Sequence, residues 1–179
     1  MGVLRSVRAG LPRPRGMPGP YAAGPTLSWI GDERIAISGV PSALMVAGLA
    51  GQGVTHVVNC RPRALVRWSG DLAAERAAFG PGRVAHAPMT DHGLRQPSAA
   101  WAPAACFAAE VLADQPQAGV LIHCTAGRRR SAMLAYAVLR LRGHDRTQAA
   151  ALVLRYRTEA VLVPAYVHSV EQWLTTAAR

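Results

Sequence analysis

The run from Gly119 to Leu141 constrains this chain more than any other. Gly119-Val120-Leu121-Ile122 is short and apolar, the pattern of a buried strand, and Ala132 to Leu141 is apolar over the length of a buried helix. Between them lies His123-Cys124-Thr125-Ala126-Gly127-Arg128-Arg129-Arg130-Ser131. Strand, tight loop and helix in succession turn several backbone N–H groups toward one point. That point lies at the positive end of a helix dipole and suits an anion. A thiol placed there is driven toward thiolate, as happens to cysteines at helix N-termini beside arginines.

The residue types define a chemistry. The thiolate of Cys124 can attack phosphorus. The loop from Thr125 through Ala126, Gly127, Arg128 and Arg129 to Arg130 can hold three phosphate oxygens. The planar fork of Arg130 meets two of them at once, which a lysine cannot do. Ser131 can donate to the sulfur and ease its departure in a second step. Neither a metal nor a cofactor has a step in this scheme.

His-Cys, five residues, then Arg-Ser resembles the signature loop of the cysteine-dependent phosphatases, the protein tyrosine and dual-specificity phosphatase superfamily. Gly39-Val40-Pro41-Ser42-Ala43 and Gly53-Val54-Thr55-His56-Val57-Val58-Asn59 resemble the opening of a dual-specificity catalytic domain, and Pro88-Met89-Thr90-Asp91 resembles its acid loop. The resemblance runs from about Trp29 to Leu174. It implies a phosphocysteine intermediate and phosphate-monoester substrates, phosphotyrosine and phosphoserine or phosphothreonine proteins in the default case. It also implies that Arg157 braces the signature loop. One departure stands out: relatives usually carry a small residue where this chain has Arg129. Arg128 and Arg129 leave phosphoinositide or other phospholipid headgroups open as substrates. A non-catalytic phosphate-binding module remains an alternative, although Cys124, Arg130 and Asp91 are all present.

A general acid must protonate the departing oxygen. The strand Val84–Pro88 and the strand Gly119–His123 are joined by a helix, so they run parallel with their carboxyl ends on one rim. Asp91 follows the first and Cys124 the second, at the edge where open α/β sheets bind ligands. Asp91 is therefore the expected acid, with His92 beside it. Glu110 and Asp114 fall at the opposite rim, and Asp71 follows one loop later. His123 is expected to hold the loop by hydrogen bonds. Cys60 ends a strand as Cys124 does, which would let the two share one edge and form a reversible disulfide.

The expected fold is α/β, a largely parallel sheet flanked by helices in a single domain over residues 26–179. Strands are expected at Arg34–Ser38, Thr55–Cys60, Val84–Pro88 and Gly119–His123. Helices are expected at Ser42–Ala50, Asp71–Phe79, Ser98–Ala113, after the signature loop, at Thr147–Arg157 and at Pro164–Ala177. Arg61–Gly70 reads as a loop whose Trp68 either lines the pocket or covers core, and Cys106 reads as core. Residues 1–25, rich in Gly, Pro and Arg, read as a flexible basic tail without a secretory signal.

A hydrophobic fraction of 50% argues against disorder in the body of the chain. All 20 basic residues are arginine, and the formal net charge of +10 favours acidic partners. Nucleic acid is not expected among them, because the few aromatics do not interleave with the arginines. Three cysteines at neither disulfide nor metal-ligand spacing fit a reduced, cytoplasmic setting, and no run is long enough to span a membrane.

Overall fold

The computed structural model describes residues 26–177. The expected features of the N-terminal tail lie outside them. Five strands form one sheet: β1 (Ser28–Trp29), β2 (Ile35–Ser38), β3 (His56–Asn59), β4 (Val84–His86) and β5 (Val120–His123), in the order β1-β2-β5-β3-β4. The edge strand β1 pairs antiparallel with β2, and every other pairing is parallel.

The strands are near-continuous apolar runs because both faces of the sheet are covered. Period-2 alternation sorts their side chains. Ile35, Ile37, Val58, Val120 and Ile122 join the larger core, where Trp101, Met133 and Tyr136 are fully buried. Ala36, Val57 and Leu121 face a smaller core with Leu49, Val54 and Val84. The helices are α1 (Ala43–Val46), α2 (Arg63–Ser69), α3 (Asp71–Phe79), α4 (Ser98–Asp114), α5 (Arg130–Leu141), α6 (Arg146–Tyr156) and α7 (Pro164–Ala177). Buried α5 is pinned to α7 at its far end, where Arg140 Nε lies 2.8 Å and Tyr136 Oη 2.5 Å from Glu171 Oε1.

This is the α/β architecture expected, with local differences. The helix expected from Ser42 to Ala50 stops at Val46, and Ala50–Gln52 forms a separate 3₁₀ turn that Gly53 closes at φ +88°. Ser98 does not cap α4; Pro97 stands at the N-cap. The last residue of α6 is Tyr156, and its start is fixed by a reciprocal capping box between Asp145 and Gln148. Cys106 is only partly buried rather than core.

The largest correction is α2. The segment expected to be a loop is a helix bounded by Pro62 and by Gly70, whose φ of +70° ends it. Only Val66 of this helix is buried, so no apolar period marks it. Trp68 lies 87% exposed and covers no core.

Candidate active site

The register sets four residues side by side at the carboxyl rim. Ser38 and Asn59 both pair with His123, and His86 pairs with Asn59. The signature loop leaves this line at Cys124 and turns into α5 at Arg130. Gly127 makes the turn possible. Its φ is +69°, and a Cβ there would meet the carbonyl oxygen of Ser38 at 2.5 Å, so both conformation and space require glycine. A hydrogen bond from the Val40 N–H to the Thr125 carbonyl, 3.2 Å, stitches the loop to the segment after β2.

Cys124 is buried, with the Gly127 N–H donating to its sulfur at 3.2 Å and the Ser131 hydroxyl 3.4 Å away. Burial alone would raise this thiol. The Ser131 hydroxyl and N–H, the Arg130 charge and the Arg128 N–H together outweigh it and hold the thiol below its ordinary value. The sulfur therefore gives up its proton more readily than an ordinary thiol.

Arg130 is 4% exposed. One of its nitrogens, Nη2, donates to Thr125 Oγ1 at 3.2 Å and lies 3.6 Å from Asp91 Oδ2. Its Nε and Nη1 have no hydrogen-bond partner among the described residues. Buried guanidinium N–H groups without partners are costly unless an oxyanion meets them.

Asp91 sits on the segment after β4, on the same rim. Arg129 Nη1 lies 3.0 Å from its Oδ1, and the Tyr166 hydroxyl of α7 is 3.3 Å from the same oxygen. The Arg129 guanidinium also lies 5.9 Å from the centre of the Tyr166 ring. Arg129 thus faces the segment after β4, whereas the Arg128 side chain turns away to donate to the Glu159 carbonyl at 3.2 Å. Of Arg128, it is the backbone that faces the sulfur. His92 accepts the Leu94 N–H at 3.0 Å and shapes its own turn.

Arg157 lies across the back of the loop. Its Nε donates to the Gly127 carbonyl at 3.2 Å, and Nη1 reaches Ser28 Oγ at 3.2 Å, joining the loop to β1. His123 is placed differently from the expectation that it hydrogen-bonds the loop. Its Nε2 lies 2.7 Å from Glu75 Oε1 of α3, both side chains sealed from solvent, in a close contact off the hydrogen-bond line.

Glu75 belongs to a buried polar group that the sequence did not single out. Asn59 Nδ2 donates to Asp71 Oδ2 at 2.8 Å and to Glu75 Oε2 at 3.1 Å. Arg61 pairs with Asp71 at 2.9 Å, and Ser69 donates to Asp71. Asp71 is thus tied into the frame behind the loop. Its spacing to Glu75, four residues on one helix face, was the available signal. Cys60 lies beside the loop, its N–H donating to the His123 carbonyl at 2.8 Å. Burial first, then the neighbouring Cys124, pushes its thiol well above the ordinary value.

No protein-family model matches the sequence, and no curated protein matches it. Solved structures do match in fold. Tk-PTP in its active form superposes with a TM-score of 0.67 at 23% identity, covering 82% of this chain and 94% of that one. PTPMT1 in complex with PI(5)P gives 0.68 at 18% identity, covering 82% and 96%. Kinase associated phosphatase, with serine substituted for its catalytic-site cysteine, gives 0.72 at 16% identity, covering 88% and 98%. The chain has the fold of the dual-specificity and protein tyrosine phosphatases.

Proposed function

We propose that this chain is a cysteine-dependent phosphatase acting on phosphate monoesters. The carrying observation is the pairing of two features within one loop. A sulfur held toward thiolate lies beside a buried arginine with two unpartnered nitrogens. The first serves attack and the second serves charge on phosphate oxygens.

The reaction has two steps. Cys124 attacks in line, the S–P bond forms as the P–O ester bond breaks, and Asp91 gives its proton to the departing oxygen. Water then attacks phosphorus, Asp91 takes a proton from it, and the S–P bond breaks to return the thiolate and release inorganic phosphate. Ser131 donates to the leaving sulfur, and Arg130 with the loop N–H groups holds the phosphoryl oxygens throughout. Arg157 and the Glu75–His123 contact keep the loop in shape. The scheme gives no step to a metal or cofactor, because the cradle itself supplies the positive charge.

Phosphotyrosine and phosphoserine or phosphothreonine proteins are the default substrates, and a cytoplasmic setting suits the free thiols. The contact between Arg129 and Asp91 makes Arg129 a positioning residue for the acid. The test is phosphate release from a generic aryl phosphate with chelator present, comparing wild type with Cys124→Ser. Turnover abolished by the substitution supports the reading. Folded, reduced wild type without turnover on aryl, peptide or lipid phosphates would leave a phosphate-binding module instead.

A further inference from the structure

Helix α2 is built to face outward. Val66 is its single buried residue. Trp68 follows two positions later, about 200° around the axis, so it points directly away from the protein. Leu65 and Arg67 flank it, both exposed. A tryptophan this exposed serves no packing purpose in the fold.

The surroundings share two properties. Four of the seven exposed large apolar side chains among the described residues are Leu44, Leu65, Trp68 and Leu94. Each lies on a segment leaving the carboxyl rim of the sheet, after β2, β3, β3 and β4 in turn. On the flank of α2 between Val66 and Trp68, Arg63 and Arg67, with Arg76 of α3, line a cleft of about 790 Å³ that has Val66 and Leu72 in its walls. None of these three arginines is in an ion pair among the described residues. The cations are left facing outward, beside apolar groups, on the edge that carries Cys124.

We infer that α2 and its cleft dock the protein on an anionic phospholipid bilayer, Trp68 entering the headgroup layer and Arg63, Arg67 and Arg76 meeting acidic headgroups. Tryptophan favours that interface, and exposed arginines beside an apolar face are the composition of surface-bound helices. Charge complementarity selects a bilayer carrying acidic lipid over a neutral one. The chain from Cys60 to Pro62 links α2 directly to the catalytic rim, so a bilayer held there brings its headgroups to the mouth above Cys124. Resting on the phosphatase reading, this makes phosphate monoesters at a membrane surface the favoured substrate class.

The test is sedimentation of the full chain with phosphatidylcholine vesicles, with and without phosphatidylserine, in wild type and in a Cys124→Ser background. Binding is read without turnover, and release of phosphate from a soluble aryl ester is followed separately, so failure of one reading is distinct from failure of the other. Wild type should bind only the acidic vesicles. Trp68→Ala should weaken that binding about tenfold, and Arg63→Gln or Arg67→Gln about fivefold each at low salt. All three should keep wild-type turnover on the soluble ester and an unchanged melting temperature. Wild type left in the supernatant with acidic vesicles would overturn the inference. So would Trp68→Ala binding like wild type, or capture through Trp68 of an acidic phosphopeptide and not of vesicles.

Discussion

Cys124 and Cys60 end adjacent parallel strands on the same rim, both buried, yet their thiols are pushed in opposite directions. Burial acts on both alike, raising each. What separates them is the chain that follows. After Cys124, the loop turns its N–H groups inward, and Ser131 and Arg130 arrive from the first turn of α5. After Cys60, Arg61 is already paired with Asp71. Pro62 offers no N–H. A strand-end cysteine is thus not a nucleophile by position. On the proposed function it becomes one when donors converge on it.

The sharpest way to break this contrast is to exchange each sulfur in turn. Cys124→Ser should reduce hydrolysis of an aryl phosphate to background. Cys60→Ala should keep turnover near wild type and cost about 1 kcal/mol in denaturant unfolding for the small void left. Activity lost equally in both variants would end the distinction.

Next in size is the donor that makes the difference. Arg130→Lys keeps a charge but loses the two-point fork, and kcat/KM should fall about 10²- to 10³-fold. Full activity in that variant would show that charge alone suffices. The frame behind the loop tests the same idea from further away. Glu75→Ala leaves His123 without its buried partner and Asn59 with Asp71 alone, and should cost about 3 kcal/mol of stability, measured by urea unfolding.

The last comparison concerns the proposed acid. Asp91→Asn should slow alkyl phosphates about 10²-fold or more, and activated aryl phosphates far less, because only the former need a proton on the leaving group. Arg129→Gln should show the same leaving-group split at about a tenth of the size, since it removes one tether and leaves Arg130 and Tyr166 beside Asp91. Equal losses on both ester types would mean that Arg129 only supports the loop.

How much of this was legible in sequence follows from how the parts are arranged along the chain. The cradle was legible because Cys124 to Ser131 are consecutive, and a loop between an apolar strand and an apolar helix has few shapes. Asp91 was placed by topology, since right-handed parallel connections leave its rim no freedom. The frame was not legible. Asn59, Asp71, Glu75 and His123 come from β3, α3 and β5, and a glutamate on a short helix reads as a surface residue until its partner is known. Helix α2 escaped for the opposite reason: with one buried residue it has no apolar period to detect. Its arginines and Trp68 face outward, which propensity and periodicity do not report.

The most direct test of the contrast is the rate of iodoacetamide alkylation of each cysteine as a function of pH, read by peptide mapping. Folding lowers the Cys124 thiol below its ordinary value and raises the Cys60 thiol well above its own. Cys124 should therefore react with a titration midpoint below that of a free thiol, and inorganic phosphate should slow it. Cys60 should stay unlabelled until the fold is lost. A Cys124 midpoint at or above that of a free thiol, or labelling of Cys60 first, would contradict the account.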